Sequence, residues 1–242
     1  MRLIVNADDF GYSRGVNCGI SDAHRYGVVT SATVMANMPA FWHAMALART
    51  LPELGIGLHF NITHGRPLGK KLSTLTDPGG IFKGTDYIFS GENTIDPFDI
   101  EQELHAQMQA LLQCGCTPTH IDSHHHVHTA PAVMDVVTGY AQKMGIPVRN
   151  TSGTTKQPLE PAALCMGFHA ENVRIEWLTS YLESCDKDVL ELMTHPGFAD
   201  EPLLAQSTYG LQRVKEHAVL TSEDVKAFIT ARGIRLIRYD QI

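Results

Sequence analysis

The sequence predicts an α/β protein, a distorted or incomplete (β/α) barrel of about seven parallel strands, with an open doubly wound sheet as the alternative. Three observations lead there. Short runs rich in Val, Ile and Leu alternate with longer amphipathic stretches, the pattern of βα units joined by right-handed crossovers. The chain has 242 residues, 43% of them hydrophobic, and no recognisable repeat, so it can bury one large core or two small ones. Titratable residues collect at the carboxyl ends of the apolar runs, the edge at which parallel barrels and open sheets both gather their loops. Counting strands does not separate the two architectures.

In chain order, "RLIVNA" (2–7) reads as the first strand and precedes a helical pattern that runs to Gly27, with Asp9 or Ser13 placed to cap it near Arg14. "TSATVMAN" (30–37) is the second strand and leads into a helix over Pro39–Leu51. Within it "FWHAMALA" (41–48) reads as a core face, with a dimer patch as the alternative. Further strands are expected at 56–61, 119–124, 146–150, 189–195 and 234–239, and helices near 97–114, 130–144, 171–185, 209–217 and 222–232. Residues 62–96 and 151–170 are rich in Gly, Pro and Thr and too long for plain connections, so they are expected to form walls or lids over a site. Ile81, Phe82 and Phe168 would anchor them. One domain over 1–242 accommodates all of this.

Composition narrows the function. A formal charge of −7 without a basic block argues against nucleic acid and anionic membranes, and no run of about 18 apolar residues offers a membrane span. The expected partner is a small molecule. "MRLIVNADDFG" reaches carboxylates by Asp8 and lacks a secretory signal, so a cytoplasmic location is expected. Cys18, Cys114, Cys116, Cys165 and Cys185 fit neither a disulfide framework nor a paired CxxC zinc site and are expected as free thiols. "CGC" (114–116) reads as a helix end capped by Gly115. A homodimer is expected only because globular proteins so often pair.

Four strands deliver titratable groups to one edge: Asp8 and Asp9 in "NADDFG", His59 and Asn61 in "GLHFN", Asp122 and His124 in "HIDSHHHVH", and His195 in "THPG". Two imidazoles and a carboxylate, with further positions open to water or substrate, form a common catalytic metal set. His59, one histidine of the 124–128 cluster and either Asp8 or Asp9 would supply it. If the strand stays extended, Asp122, His124 and His126 share one face, and His124 lies nearest the strand end. A ligating imidazole needs a partner for its other nitrogen, a task for Asp122 or for a neighbouring histidine such as His126. The jobs of His125 and His128 stay open.

In order and spacing, "NADDFGYSRGVNCGI", "GLHFN", "THIDSHHHVH" and "THPG" resemble the signatures of the YdjC-like carbohydrate deacetylases, over residues 1 to about 200. The resemblance implies a distorted (β/α) barrel, one divalent metal, and removal of acetyl groups from N-acetylated sugars such as chitobiose or chitooligosaccharides, phosphorylated or not. Carried onto this chain, it makes Asp9, His59 and His124 metal ligands, Asp8 the general base and His195 the general acid. It also implies Mg2+, whereas the donor types themselves favour Zn2+. Phe60, Asn61, Arg66 and Tyr87 are candidates to meet the sugar. Two rivals remain. Another metal-dependent amidohydrolase or phosphoesterase would ordinarily carry His-x-His on its first strand, where this chain has Asp8-Asp9. A metal- or sugar-binding protein without activity would leave the extra carboxylate of Asp8 unexplained.

Overall fold

A computed structural model describes residues 1–149 and 162–242. Its strands are β1 (Arg2–Phe10), β2 (Ser31–Val34), β3 (Gly55–Phe60), β4 (Ile121–Ser123), β5 (Ala163–Cys165), β6 (Val189–Thr194) and β7 (Arg235–Leu236). The helices are α1 (Arg14–Tyr26), α2 (Phe41–Ala48), α3 (Thr85–Phe89), α4 (Pro97–Gln113), α5 (Pro131–Met144), α6 (Ile175–Ser184), α7 (Glu201–Gln206), α8 (Leu211–Leu220) and α9 (Glu223–Ala231). The sheet has seven strands in the order β4-β3-β2-β1-β6-β5, with β7 against β1. The β1–β6, β1–β7, β3–β4 and β5–β6 pairs are parallel. This is the α/β class expected, consistent with a distorted, incomplete barrel.

The described residues gather into two compact units, one of residues 1–33, 39–55 and 162–242, the other of residues 34–38 and 56–149. In the first, β1 is buried from Leu3 to Phe10, as a parallel strand covered on both faces must be. Ser13 caps α1 by accepting from the Val16 amide, and Val16, Ile20 and Ala23 form its buried face. Two glycines on α1 set how closely the chain after β6 can approach. A Cβ on Gly19 would stand 2.5 Å from the Gly197 Cα, and one on Gly15 would collide with the Phe198 carbonyl. The Gly15 amide also donates to Asp200, at 2.6 Å. The segment that follows His195 is thereby held against α1.

In the second unit, α4 starts with Asp96 as N-cap and Pro97 in its first turn, where a missing N–H costs nothing. Ile100, Leu104, Met108 and Leu111 bury one stripe, worth about 1.5–3 kcal/mol per side chain relative to exposure. Val133, Val137 and Ala141 do the same for α5, which ends on Gly145 in the left-handed region. Gly115, at φ +76°, follows the end of α4 as expected, and all five cysteines are free thiols.

Several expectations need correction. No strand forms over the described part of 146–150: Val148 makes only an isolated parallel bridge to Ile121. The stretch read as a loop over 151–170 contains β5, whose three residues are too few for periodicity to reveal; its portion up to residue 161 lies outside the described residues. The 62–96 stretch is not plain loop either, since it holds α3 and a Thr76–Phe82 antiparallel bridge. Phe82 and Phe168 are buried anchors, as expected, but Ile81 is 43% exposed. The strand read over 234–239 shrinks to two residues before a 3-10 turn at Tyr239–Gln241. No described helix is long and apolar enough to cross a membrane.

Candidate metal centre

In the first unit, Asp8 and Asp9 close β1. Asn6 donates to Asp8 Oδ1 at 2.8 Å and to the Thr33 hydroxyl at 3.2 Å, which sets the Asp8 carboxylate against the strand. Asp9 adopts φ +69°, a conformation Asp tolerates better than most residues, and the Tyr12 amide closes the turn on its carbonyl. Its Oδ2 accepts from Arg213 of α8, and both side chains are almost wholly buried. His195 follows β6 directly. Its backbone amide donates to the buried carboxylate of Glu216, which also accepts from the Tyr209 hydroxyl, while His195 Nδ1 stands 3.8 Å from Glu216 Oε1. Burial alone would lower the pKa of His195; Glu216 and then Asp8 outweigh it, and the pKa lies above that of an ordinary histidine.

In the second unit, the parallel register sets His59 of β3 beside Asp122 of β4. His59 Nδ1 meets Asp122 Oδ1 at 2.7 Å, and Arg149 meets the other oxygen at 2.8 Å, all three deeply buried. Burial would raise the pKa of Asp122, but Arg149 and His59 hold it well below the usual carboxylate range. An ionised Asp122 takes the Nδ1 proton of His59 in a hydrogen bond, which assigns the tautomer and leaves Nε2 as the electron-pair donor.

β4 stops at Ser123, so the extended alternation expected through His126 does not occur. His124–Thr129 form a 3-10 turn in which His125 and His126 take φ +53°, and side chains on such a turn no longer alternate between two faces. His124 stands first in it, with its ring centroid 5.6 Å from that of His59. The remaining histidines acquire distinct surroundings. His128 is buried beside the Ser123 hydroxyl, and burial, then Arg149, push its pKa down to about 3, so it is a neutral brace for the turn. His125 meets the Thr63 and Thr85 hydroxyls at 2.9 and 3.1 Å. His126 faces the His128 ring edge-on at 6.1 Å.

Two sets of residues carry donor atoms of the kinds that hold metals: Asp9 of the first unit with His59 and His124 of the second, and Asp8 of the first with His59 and Asp122 of the second. Chemistry favours the first set. Both Asp122 oxygens already accept from His59 and Arg149, whereas Arg213 engages Oδ2 of Asp9. Asp9, His59 and His124 are therefore the candidate metal ligands among the described residues.

The residues expected to meet substrate are placed less uniformly. Phe60 is fully buried. Asn61 spends its amide on local structure, accepting from the Thr63 and His64 amides and donating to Asn37 and the His64 carbonyl. Arg66 is exposed and binds the carbonyls of Gly79 and Gly80, and Tyr87 lies under the Lys83 ammonium at 4.3 Å from its ring centroid. Sequence reading missed Arg149, Arg213 and Glu216. Only Arg149 carried a signal, a lone cation at the end of the apolar run "IPVR".

The chain is 41% identical to a "Carbohydrate deacetylase" of Brevibacillus brevis, with all of both chains covered. It is 40% identical to a "Chitooligosaccharide deacetylase" of Serratia marcescens over 97% of this chain and 96% of that one. A crystal structure of an Enterococcus faecalis protein superposes with a TM-score of 0.91 at 33% identity, covering 99% of this chain and 98% of the other. The family model described as YdjC-like protein matches residues 2–231, and the chain belongs to that family.

Proposed function

We propose that this protein is a metal-dependent carbohydrate deacetylase that hydrolyses the acetamide of N-acetylated sugars, with chitobiose and chitooligosaccharides as the substrate type, and releases acetate. The observation that carries the proposal is the Asp9–His59–His124 ligand set, and the deacetylases of B. brevis and S. marcescens similar to this chain support it.

Asp9, His59 and His124 would hold one divalent cation, with Asp122 orienting His59. Such a cation acidifies bound water and polarises the acetyl carbonyl. Asp8, braced by Asn6, would accept the proton of the attacking water. His195, whose pKa Glu216 and Asp8 raise, would give a proton to the departing amine. The donor set favours Zn2+ or a related transition ion, and the family resemblance favours Mg2+.

An acetate assay over N- and O-acetylated sugars, run after chelation and again after metal is restored, tests the reaction. Acetate should appear from N-acetylated sugars only with metal present, and its absence from every sugar would contradict deacetylation. Asp8→Asn should retain the ion yet lose turnover by about 10²–10⁴-fold, whereas His124→Ala should lose the ion. An Asp8→Asn protein without metal would exchange the roles assigned to the two aspartates.

A further inference from the structure

Beside the β1–α1 turn lies a cavity of about 550 Å3 that the reaction as described does not use, lined by Tyr12, Arg14, Trp42, His43, Pro202 and Gln206 among others. Its volume falls within the rough 300–1,000 Å3 span of small-molecule sites, and its lining joins apolar surface to a few polar groups in the usual way. Trp42 is 72% exposed, although Phe41, Ala44 and Met45 of the same helix are buried. Phe41 packs edge-on to its ring at 5.1 Å, holding the indole at the rim of the cavity. The Arg14 side chain is exposed.

The cavity is coupled to the turn that carries Asp9. Asn17, fully buried, accepts from the Gly11 amide at 2.6 Å, donates to the Ala40 carbonyl at 3.0 Å and meets His43 Nδ1 at 3.1 Å. One side chain thus fixes the β1–α1 turn, the start of α2 and a polar group of the cavity wall. Arg213, which binds Asp9, also stands over the Tyr12 ring at 5.8 Å.

We infer that this cavity is a subsite for a second pyranose ring, the neighbour of the ring that loses its acetyl group, with Trp42 as its stacking face. A pyranose has a face of C–H bonds and a rim of hydroxyls. An exposed indole suits the first, and Arg14, His43 and Gln206 offer donors and acceptors for the second. The inference rests on the deacetylase reading and adds where the second ring would sit and which side chain would set the preference for it.

The test compares kcat/KM for N,N′-diacetylchitobiose and for N-acetylglucosamine in the wild type, Trp42→Ala and Trp42→Phe. The disaccharide-to-monosaccharide ratio should fall about tenfold in Trp42→Ala, mainly through KM, and recover in part in Trp42→Phe. An unchanged ratio overturns the subsite while leaving the deacetylase reading intact. A second measurement does not depend on turnover. In Trp177→Phe, Trp42 is the one remaining tryptophan, and its emission should shift on titration with diacetylchitobiose. No shift overturns the inference. If the wild type releases acetate from neither sugar, the deacetylase reading fails, and this titration still decides whether the cavity takes a sugar.

Discussion

Asp122 shows how single residues in this protein tune one another. A buried carboxylate without partners would be driven to its neutral form, yet Arg149 and His59 keep this one ionised. The anion makes His59 a better donor through Nε2. Asp122→Asn should therefore weaken metal affinity by about 10–100-fold, read by competition against a chelator; unchanged affinity would contradict the orienting role. It should also destabilise the fold by about 3–5 kcal/mol, because the buried Arg149 would lose the carboxylate charge it faces at 2.8 Å. His195 supplies the pH test. Its pKa lies above that of an ordinary histidine, so turnover should decline as pH rises through that raised pKa. Glu216→Gln removes the stronger of the two anionic influences and should move this alkaline limb to lower pH; a limb that stays in place would separate Glu216 from the proton transfer. The groups proposed to do chemistry could be singled out because each ends an apolar run. Their buried counter-charges were not, since what Arg213 or Glu216 touches depends on a helix that returns about 200 residues after Asp9.

At the scale of elements, α1 does more than cover β1. Gly15 and Gly19, one turn apart, leave room for the segment after His195. Gly19→Ala would force a methyl against the Gly197 backbone and should cost about 1–3 kcal/mol, measured by urea unfolding, with a loss of turnover because His195 lies two residues before Gly197. Full stability and full activity would show that this contact yields freely. Long periodic elements such as α4 and α5 were legible within a residue or two, and their proline and glycine ends explain why. β5 and β7 were hidden or overdrawn because two or three paired residues leave too little pattern. The turn at His124–Thr129 could not be read either. Non-glycine residues at positive φ carry no reliable mark in a sequence, and this turn decides which histidine follows the strand.

At the scale of the whole chain, the proposed ligands come from positions 9, 59 and 124, so a shared ion would cross-link segments distant in sequence. An ion that binds the folded form alone adds about 2.7 kcal/mol when present at one hundred times its dissociation constant. Thermal unfolding should thus shift upward with added metal in the wild type and not in His124→Ala. A formal charge of −7 is compatible with cation uptake but does not localise it; the proposed ligand set would. The most direct measurement is anomalous diffraction from crystals grown with Zn2+ or Mn2+. The account predicts a single strong peak within coordination distance of Asp9, His59 and His124. A peak ligated by other residues, or none at that position in metal-loaded crystals, would contradict it.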